Sequence, residues 1–482
     1  MGILSQYEPK AVFQYFEDIC SMPHGSGNIK QISDYLVQFA QDRSLAYRQD
    51  EMGNVIIWKN GTEGYENSEP VIIQGHMDMV AVQTKDCTKD MEKEGLDLEI
   101  LDGDYISAKG TSLGGDDGIA LAYALAILDS NSIAHPPIEA VFTVDEEIGL
   151  LGAQGMDCSD LKGRMFLNLD SEEEGIFTIS CAGGLTSVGK LPFETEEKQG
   201  CVVHVSIFGF KGGHSGAEIH KGRLNSNLVL GRMLNSLKKE AQIITVSGGE
   251  KDNAISIRSE VSLLVGCEKC AAKVQEELSA KLEEIANEYE SVEGNLQISF
   301  EVVPNQSVQA MTKDSTKKVI AALLNHPNGI QRMNPEMPDM VQTSLNLGIV
   351  SMVGNEVHFS SSVRSSSETE KHALYERVVN TFEMLGGYVE NFGGYPGWEY
   401  NPDSKLRDIM IEAYQEQYGK DPIVVGIHAG LECGLFAAKL PGLDAVSIGP
   451  EMHDIHTTKE VLGISSTART YELILRTLAK LK

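Results

Sequence analysis

Short apolar runs alternate with helical patterns over the first 186 residues of the chain. Val55–Trp58, Val71–Gln74, Ile138–Val144 and Met165–Leu169 have the length of buried strands and are bounded by polar turns. Between the second and third runs, Ile119–Leu128 is rich in alanine and leucine and is predicted to be a helix. Strands that alternate with helices form a parallel sheet. We therefore predict an α/β fold with a mostly parallel sheet.

The pattern changes in the middle of the chain. Cys201–Phe208 alternates between apolar and polar residues and predicts a half-buried strand. Asn225–Glu240 and Lys273–Tyr289 predict long polar helices. After Gly393 and Gly394 the α/β pattern returns. We therefore expect an α+β domain that is inserted into the α/β domain, with the segments 1–186 (α/β), 187–394 (inserted) and 395–482 (α/β).

Composition and charge restrict the partners of this chain. Hydrophobic residues make up 41% of the 482 residues, which is typical of a globular protein rather than a disordered one. The net charge of -30 repels nucleic acid and anionic lipid, so we expect neither as a partner. We find no signal peptide and no membrane-spanning run, and we expect a cytoplasmic protein. Cys267 and Cys270 form a CxxC without a second pair, so free thiols are expected rather than a zinc ribbon.

Histidine and carboxylate residues stand at the ends of four predicted strands and at the start of one predicted helix. The carboxyl ends of parallel strands form the ligand crevice of such a sheet, so these side chains should meet there. Each has a plainer explanation on its own, because an aspartate can cap a helix and a lone histidine is usually structural. Their joint placement favours a metal site. The residues are His76 and Asp78 after Val71–Gln74, Asp116 and Asp117 at the helix start, Glu146 and Glu147 after Ile138–Val144, Asp170 after Met165–Leu169, and His456 after Ala445–Ile448.

These residue types indicate hydrolytic chemistry. Imidazole and carboxylate together bind zinc, or manganese or cobalt in similar sites. Two such cations about 3.5–4 Å apart can share a carboxylate and a water that then attacks near neutral pH. Asp78, two residues after His76, can orient its imidazole. Of the adjacent Glu146 and Glu147, one can bind metal while the other accepts the proton of the attacking water.

The order of these residues resembles the M20 metallopeptidase family. That family has an HxD motif, a Gly-x-Asp-(Asp/Asn) turn, a Glu-Glu pair, an aspartate after a strand and a late histidine. The similarity is greatest to the aminoacyl-histidine (Xaa-His) dipeptidases, and it extends over essentially the whole chain. It is carried by Gln74–Val80, Leu113–Gly118, Asp170–Gly175, Lys211–Gly216 with Glu218–His220, and Ile427–Phe436.

The resemblance implies a role for each residue of the predicted site. A catalytic domain would hold two divalent metal ions, with Zn²⁺ expected and Mn²⁺ or Co²⁺ as alternatives. Asp78 would be the orienting acid and Glu146 the general base. The implied metal ligands are His76 and Asp170 for one ion, Glu147 and His456 for the other, and Asp116 as the bridge.

The inserted domain would be a lid that closes over the substrate and mediates dimers, so the resemblance also implies a homodimer. In the lid, His214 would contact the developing oxyanion, and Asn253 and Arg364 would bind the substrate. A guanidinium suits the C-terminal carboxylate of a peptide, although a structural ion pair is the alternative for Arg364. For His220, a substrate contact and a structural role both stay open.

The chain departs from the subgroup pattern in two places. It reads Gly-Gly-Asp-Asp where members often read Gly-Ala-Asp-Asn, so Asp117 adds a carboxylate beside Asp116. The late motif reads His456-Thr-Thr-Lys-Glu460 in place of His-Ser-Pro-Asp-Glu, and an extra histidine, His453, precedes it. We expect His456 rather than His453 to be the ligand.

The function expected from the resemblance is hydrolysis of short peptides, in particular Xaa-His dipeptides. A broader di- or tripeptidase and an amidohydrolase of N-acyl amino acids use the same chemistry and remain alternatives. A peptide-binding protein without catalysis is a more distant alternative.

Overall fold

The computed structural model describes residues 2–237 and 241–482. The chain divides into two compact units. The first unit comprises the residues up to Ser180 together with Tyr400–Gly426 and Leu431–Lys482, and the second comprises Cys181–Glu399 and Ile427–Gly430. The short segment Ile427–Gly430 thus belongs to the second unit, whereas we expected it in the α/β domain. In the described part of the chain, no helix is long and apolar enough to cross a membrane.

The helices are α1 (Lys10–Cys20), α2 (Lys30–Asp42), α3 (Gly115–Asp129), α4 (Leu151–Gly155), α5 (Ser226–Ser236), α6 (Glu268–Glu288), α7 (Lys313–Asn325), α8 (Glu368–Met384), α9 (Lys405–Tyr418), α10 (Glu432–Lys439) and α11 (Ile464–Lys480). The strands are β1 (Ala46–Gln49), β2 (Val55–Lys59), β3 (Val71–His76), β4 (Leu98–Leu101), β5 (Tyr105–Ala108), β6 (Ile138–Thr143), β7 (Met165–Asn168), β8 (Ile176–Cys181), β9 (Gly183–Pro192), β10 (Thr195–Phe208), β11 (Gly213–His214), β12 (Gln242–Gly248), β13 (Ala254–Ile255), β14 (Ser259–Val265), β15 (Gln297–Met311), β16 (Gly329–Met333), β17 (Val341–Val353), β18 (Glu356–Ser365), β19 (Tyr388–Tyr395), β20 (Ile423–Ile427), β21 (Asp444–Ser447), β22 (Met452–His453) and β23 (Val461–Gly463).

The first unit is built on an eight-stranded sheet in the order β1-β2-β6-β3-β7-β21-β8-β20. The four central strands, β6, β3, β7 and β21, are parallel. The pairs β1–β2, β2–β6 and β21–β8 are antiparallel. The predicted α/β fold with a mostly parallel core is confirmed. Because β3, β6 and β7 run in the same direction, their carboxyl ends lie at one edge of the sheet.

Burial explains why these strands occupy the centre. Every residue of β3 and β6 is buried, which requires helices on both faces of the sheet. Helix α3 is buried all round and carries no polar stripe. It packs closely on β3 because Gly75 has no side chain, and a Cβ there would lie 2.4 Å from the Cβ of Ala120. This close packing places the start of α3 beside the end of β3.

The second unit contains an antiparallel sheet in the order β15-β10-β14-β12-β17-β18-β9-β19, with β16 paired to β17. Helix α6 packs on the core of this unit through Val274, Leu278, Leu282 and Ile285. The helix predicted from Lys273 begins at Glu268 instead, so Cys267 and Cys270 stand at its N-terminus. The helix predicted at Asn225–Glu240 is α5, and Lys238–Glu240 lie outside the described residues.

His326 is a buried histidine in the core of the second unit. Burial lowers the pKa of His326 to about 4, and the ring packs against Phe359 and Phe382. Its Nδ1 donates to the carbonyl of Pro327 at 2.8 Å, and Ser361 Oγ donates to its Nε2 at 3.1 Å. The folded state therefore contains the neutral form of the His326 imidazole at neutral pH.

We expect acid to weaken folding through this residue. A histidine whose folded pKa is lowered stabilises the protein fully above the unfolded pKa of about 6.5, and this stabilisation is lost as pH falls toward 4. The loss between about pH 7 and pH 5 is about 2 kcal/mol. Urea unfolding of His326→Asn, which can keep the bond to the Pro327 carbonyl, should show a pH dependence smaller by that amount. An unchanged pH dependence would contradict the assignment.

Candidate active site

The edge formed by the parallel strands brings the predicted ligands together. His76 is the last residue of β3, Glu147 follows β6, and Asp170 lies two residues beyond β7. Asp116 stands in the first turn of α3, and His456 lies in the turn after β22. All five residues belong to the first unit.

Asp116 joins two halves of this cluster. His76 Nε2 lies 3.0 Å from Asp116 Oδ1 and 3.6 Å from Asp170 Oδ1. His456 Nε2 lies 3.1 Å from Asp116 Oδ2 and 2.8 Å from Glu147 Oε1. Ligand atoms of His76, Asp116 and Asp170 lie within 4.8 Å of one another. The same holds for ligand atoms of Asp116, Glu147 and His456. The two oxygens of the Asp116 carboxylate thus face two separate sets of metal-ligating side chains.

The α3 start does not use Asp116 as a cap. Gly114 is the N-cap residue, and as a glycine it has no side chain with which to cap the helix. Asp116 and Asp117 have non-helical backbone angles, and the Asp117 carboxylate accepts the backbone N–H of His76 at 3.2 Å. The Asp116 side chain is therefore available to the cluster rather than to its own helix.

The electrostatics of the cluster fit bound cations. Burial raises the pKa of Asp170 to about 6 and that of Glu146 to about 9. Hydrogen bonds to Asp116 and Glu147 raise the pKa of His456 to about 10. Glu147 Oε1 is buried and lies 2.8 Å from His456 Nε2. Carboxylates outnumber histidines here, and divalent cations bound by imidazole and carboxylate would neutralise this excess.

Asp78 contacts both His76 and the backbone of Glu146. It lies beyond the end of β3, so its position does not follow from strand alternation as we expected. His76 Nδ1 donates to the main-chain carbonyl of Asp78 at 3.0 Å, whereas the Asp78 carboxylate is 3.5 Å away. That carboxylate instead accepts the backbone N–H of Glu146 at 3.0 Å and the hydroxyl of Ser26 at 2.8 Å. With its proton on Nδ1, His76 turns the lone pair of Nε2 toward Asp116 and Asp170.

Glu460 holds the turn that carries Asp116, a role that was not predicted from the sequence. Its carboxylate is buried and accepts backbone N–H groups from the turn that carries Asp116. Oε2 accepts from Leu113 at 2.7 Å and Gly114 at 3.0 Å, and Oε1 accepts from Gly115 at 2.8 Å and Asp116 at 3.4 Å. The only signal in the sequence is the place of Glu460 in the late motif, four residues after His456.

We expect Glu460→Gln to destabilise the first unit. The amide has the shape of the carboxylate but turns an NH₂ group toward backbone N–H donors, leaving buried donors without an acceptor. Such unmet donors cost about 1–3 kcal/mol, which urea unfolding can measure. Glu451→Gln is the matched control, because Glu451 is partly exposed and pairs with His453. Equal stability of the two variants would contradict the role of Glu460.

A buried polar network lies behind β3. Glu432 is fully buried, and burial raises its pKa to about 7. Its Oε2 accepts from Gln74 Nε2 at 2.5 Å and from the Thr143 hydroxyl at 2.6 Å, while Asn168 donates to Gln74 at 2.6 Å. These bonds join β3, β6 and β7 just before the residues of the cluster.

The second unit holds the residues that the resemblance assigns to substrate binding. His214 Nδ1 accepts the backbone N–H groups of Gly216 at 3.2 Å and Ala217 at 3.0 Å, so its proton lies on Nε2. Burial lowers the pKa of His214, and Arg364 lowers it further. The ring is therefore neutral and can donate one hydrogen bond from Nε2.

Arg364 is buried in β18 and lies close to His214. It donates to the hydroxyl of Tyr395 at 3.0 Å, and its Nε has no hydrogen-bond partner. Gly216 makes room between them, since a Cβ there would lie 3.1 Å from His214 Cε1 and 3.3 Å from Arg364 Nε. No ion pair joins Arg364 to a carboxylate in the part of the chain that the structure describes. A buried guanidinium of this kind fits an anionic ligand.

The other residues of interest lie as follows. Asn253 is exposed, and its carbonyl accepts the backbone N–H of Ser215 at 2.9 Å, which places it beside His214. His220 is exposed. His453 is half exposed and lies 3.3 Å from Glu451, and it belongs to none of the ligand groups found among the described residues.

The chain is similar to known peptidases along almost its whole length. Residues 72–480 match peptidase family M20/M25/M40. The chain is 35% identical over 480 residues to the cytosol non-specific dipeptidase of Escherichia coli (strain K12), with 98% of each chain covered.

Solved structures extend the comparison. The crystal structure of aminoacylhistidine dipeptidase from Vibrio alginolyticus is similar with a TM-score of 0.93 and 33% identity, over 99% of this chain and 98% of that one. A tripeptidase from Staphylococcus aureus shares the fold with a TM-score of 0.56 and 16% identity, over 98% of this chain and 99% of that one. The chain therefore belongs to peptidase family M20/M25/M40, as the order of its histidine and carboxylate residues predicted, and it is an enzyme of the metallopeptidase class.

Proposed function

We propose that the protein hydrolyses dipeptides, Xaa-His dipeptides among them, with two divalent metal ions. One observation carries the proposal: two groups of ligating side chains in the first unit share the carboxylate of Asp116. Two cations about 3.5–4 Å apart can share such a carboxylate. The family to which the chain belongs makes peptide hydrolysis the reaction that such a centre would serve.

We assign the ligands by their grouping. His76 and Asp170 would hold one ion, Glu147 and His456 the other, and Asp116 both. Zn²⁺ suits this mixed set, and Mn²⁺ and Co²⁺ are accepted by similar sites. When bound, the ions would lower the pKa of a water molecule and polarise the scissile carbonyl.

The chain itself would move the proton. Glu146 offers a carboxylate oxygen within 4.8 Å of ligand atoms of His76 and Glu147. We propose that the charge of the bound cations would lower the pKa of Glu146, so that its carboxylate accepts a proton from the attacking water and delivers it to the leaving amine. Asp78 would keep both partners in place, because its carbonyl orients His76 and its carboxylate holds the backbone of Glu146.

The second unit would supply the contacts to the substrate. His214 carries its proton on Nε2 and suits donation to the oxyanion that develops from the carbonyl oxygen. Arg364 suits the C-terminal carboxylate, and Asn253 a further polar contact with the substrate. These roles come from the resemblance together with the neutral state of His214 and the absence of a described anionic partner for Arg364.

The names of two relatives indicate which substrates to test. One is a non-specific dipeptidase, and the other an aminoacylhistidine dipeptidase. We propose dipeptides as the substrate class and Xaa-His as a preferred set. Broader di- or tripeptide hydrolysis and N-acyl amino acid hydrolysis are the alternatives.

A panel of substrates tests the proposal. Purified enzyme is stripped of metal and reloaded with Zn²⁺, Mn²⁺ or Co²⁺, and kcat/KM is measured for Ala-His, Ala-Ala, a tripeptide and N-acetyl-histidine. We expect metal-dependent hydrolysis of the dipeptides, fastest for Ala-His. Faster turnover of the tripeptide or the N-acetyl compound would favour the alternatives. Bound metal of less than one ion per chain with no hydrolysis would indicate a peptide-binding protein instead.

We expect Arg364→Ala to lose affinity for free carboxylates. A hydrogen-bonded charge pair contributes about 1.5–3 kcal/mol, so kcat/KM for Ala-His should fall roughly 10–100-fold, mainly through KM. Ala-His amide lacks the carboxylate, and its kcat/KM should change little in the variant. Arg258→Ala is the control, because Arg258 is exposed and pairs with Glu260. Equal losses on the acid and the amide would contradict carboxylate binding.

We also propose a homodimer and a cytoplasmic location. The first follows from the family resemblance, and the second from the name of the Escherichia coli relative. Sedimentation analysis of the full chain would show a single monomeric species if the dimer is wrong.

A further inference from the structure

Two cysteines outside the candidate active site lie together at the start of a long helix. Cys267 is the N-cap residue of α6, and Cys270 stands in the first turn of that helix. Their sulfur atoms are 2.6 Å apart, and the backbone N–H of Cys270 donates to the sulfur of Cys267 at 3.3 Å. None of the eight cysteines is in a disulfide. The pair is thus preorganised for a reaction between its own sulfurs.

The surroundings favour a reactive first cysteine. Cys267 is exposed, and Cys270 is partly exposed. A Cβ added at Gly266 would meet no heavy atom within 4 Å, so the approach to Cys267 is open. Two hydrogen bonds from Cys270 lower the pKa of Cys267. The bond from the Cys270 thiol has the larger effect, and the bond from the Cys270 backbone N–H has the smaller one. The N-terminus of a helix also stabilises a thiolate, and CxxC pairs at such positions are reactive.

The same surroundings argue against other uses of the pair. Two thiols are half of the ligands of a structural zinc site. None of the groups of three or more metal-ligating side chains found among residues 2–237 and 241–482 includes Cys267 or Cys270. Cys20, Cys158 and Cys201 are buried, as is usual for cysteines that only pack in a core.

We propose that Cys267 and Cys270 form a dithiol–disulfide exchange site whose substrates are low-molecular-weight disulfides such as oxidised glutathione. The Cys267 thiolate attacks one sulfur of the disulfide, forms a mixed disulfide and expels the first thiolate. Cys270 loses its proton to solvent, attacks the Cys267 sulfur and expels the second thiolate. The two cysteine thiols are oxidised to one disulfide, and the substrate disulfide is reduced to two thiols.

The first experiment traps both steps. The full chain is incubated with excess oxidised glutathione, remaining thiols are alkylated, and intact and peptide masses are recorded. The wild type should lose two hydrogen atoms and contain a bond between Cys267 and Cys270. Cys270→Ser should stop at glutathione bound to Cys267, and Cys267→Ser should form neither product. Serine keeps the N-cap hydrogen bond of α6, so this variant is expected to fold.

The second experiment compares reactivity. Cys87 is partly exposed and has no cysteine neighbour in sequence, so Cys87→Ser is the matched control and should oxidise like the wild type. Iodoacetamide should alkylate Cys267 several-fold faster than Cys87 at neutral pH, and Cys270→Ser should reduce this difference. The proposal is overturned if the wild type keeps glutathione on Cys267 without an internal disulfide, or if Cys267 and Cys87 react at equal rates.

Discussion

Glu146→Gln should lower kcat for Ala-His by roughly 10²–10⁴-fold while the bound metal stays unchanged. Glutamine has the size of glutamate and keeps the backbone N–H that donates to Asp78, so the loop after β6 should not move. It cannot accept the proton of the attacking water. The loss should appear in kcat rather than KM, because the missing step belongs to the chemistry and not to binding.

The neighbouring Asp145 provides the control for this prediction. Its carboxylate accepts the backbone N–H of Gly27 at 2.6 Å, and Asp145→Asn can keep that bond with its amide oxygen. We expect Asp145→Asn to retain near wild-type kcat. If Glu146→Gln also retains kcat within a few-fold, with its metal content intact, Glu146 is not the base.

His456→Ala should remove one of the two proposed metal ions and reduce kcat/KM by roughly 10²-fold or more. The imidazole faces both Asp116 and Glu147, so its loss opens only one half of the cluster. Asp116→Ala should have a larger effect, because its two oxygens face His76 and His456 and both halves lose a carboxylate. Metal content after gel filtration and the rate on Ala-His measure both effects.

His453 is a matched control because it lies three residues before His456, at the end of β22. It is half exposed and pairs with Glu451. His453→Ala should keep both ions and wild-type activity. The assignment of the late ligand would be wrong if His453→Ala lost metal and His456→Ala kept it.

Much of the fold of the first unit could be predicted from the sequence. The runs that became β3, β6 and β7 are mostly apolar and are buried, as is typical of a sheet covered on both faces. The boundaries were less predictable, since β3 extends to His76 and α6 begins at Glu268. His76 extends β3 and Glu268 extends α6, because backbone hydrogen bonding and packing at these two ends outweigh the polarity of the side chains.

The sequence by itself determined which residue types stand at the strand ends and in which order, because the pattern of apolar and polar residues is a local property of the chain. Only the tertiary structure decided which atoms face each other. The Glu460 carboxylate reaches the turn at Asp116 across 344 residues of sequence, and the Asp78 carboxylate holds Glu146 rather than His76. Gly216, by lacking a side chain, lets His214 and Arg364 approach. Such contacts depend on distances between segments remote in sequence, and no local pattern records them.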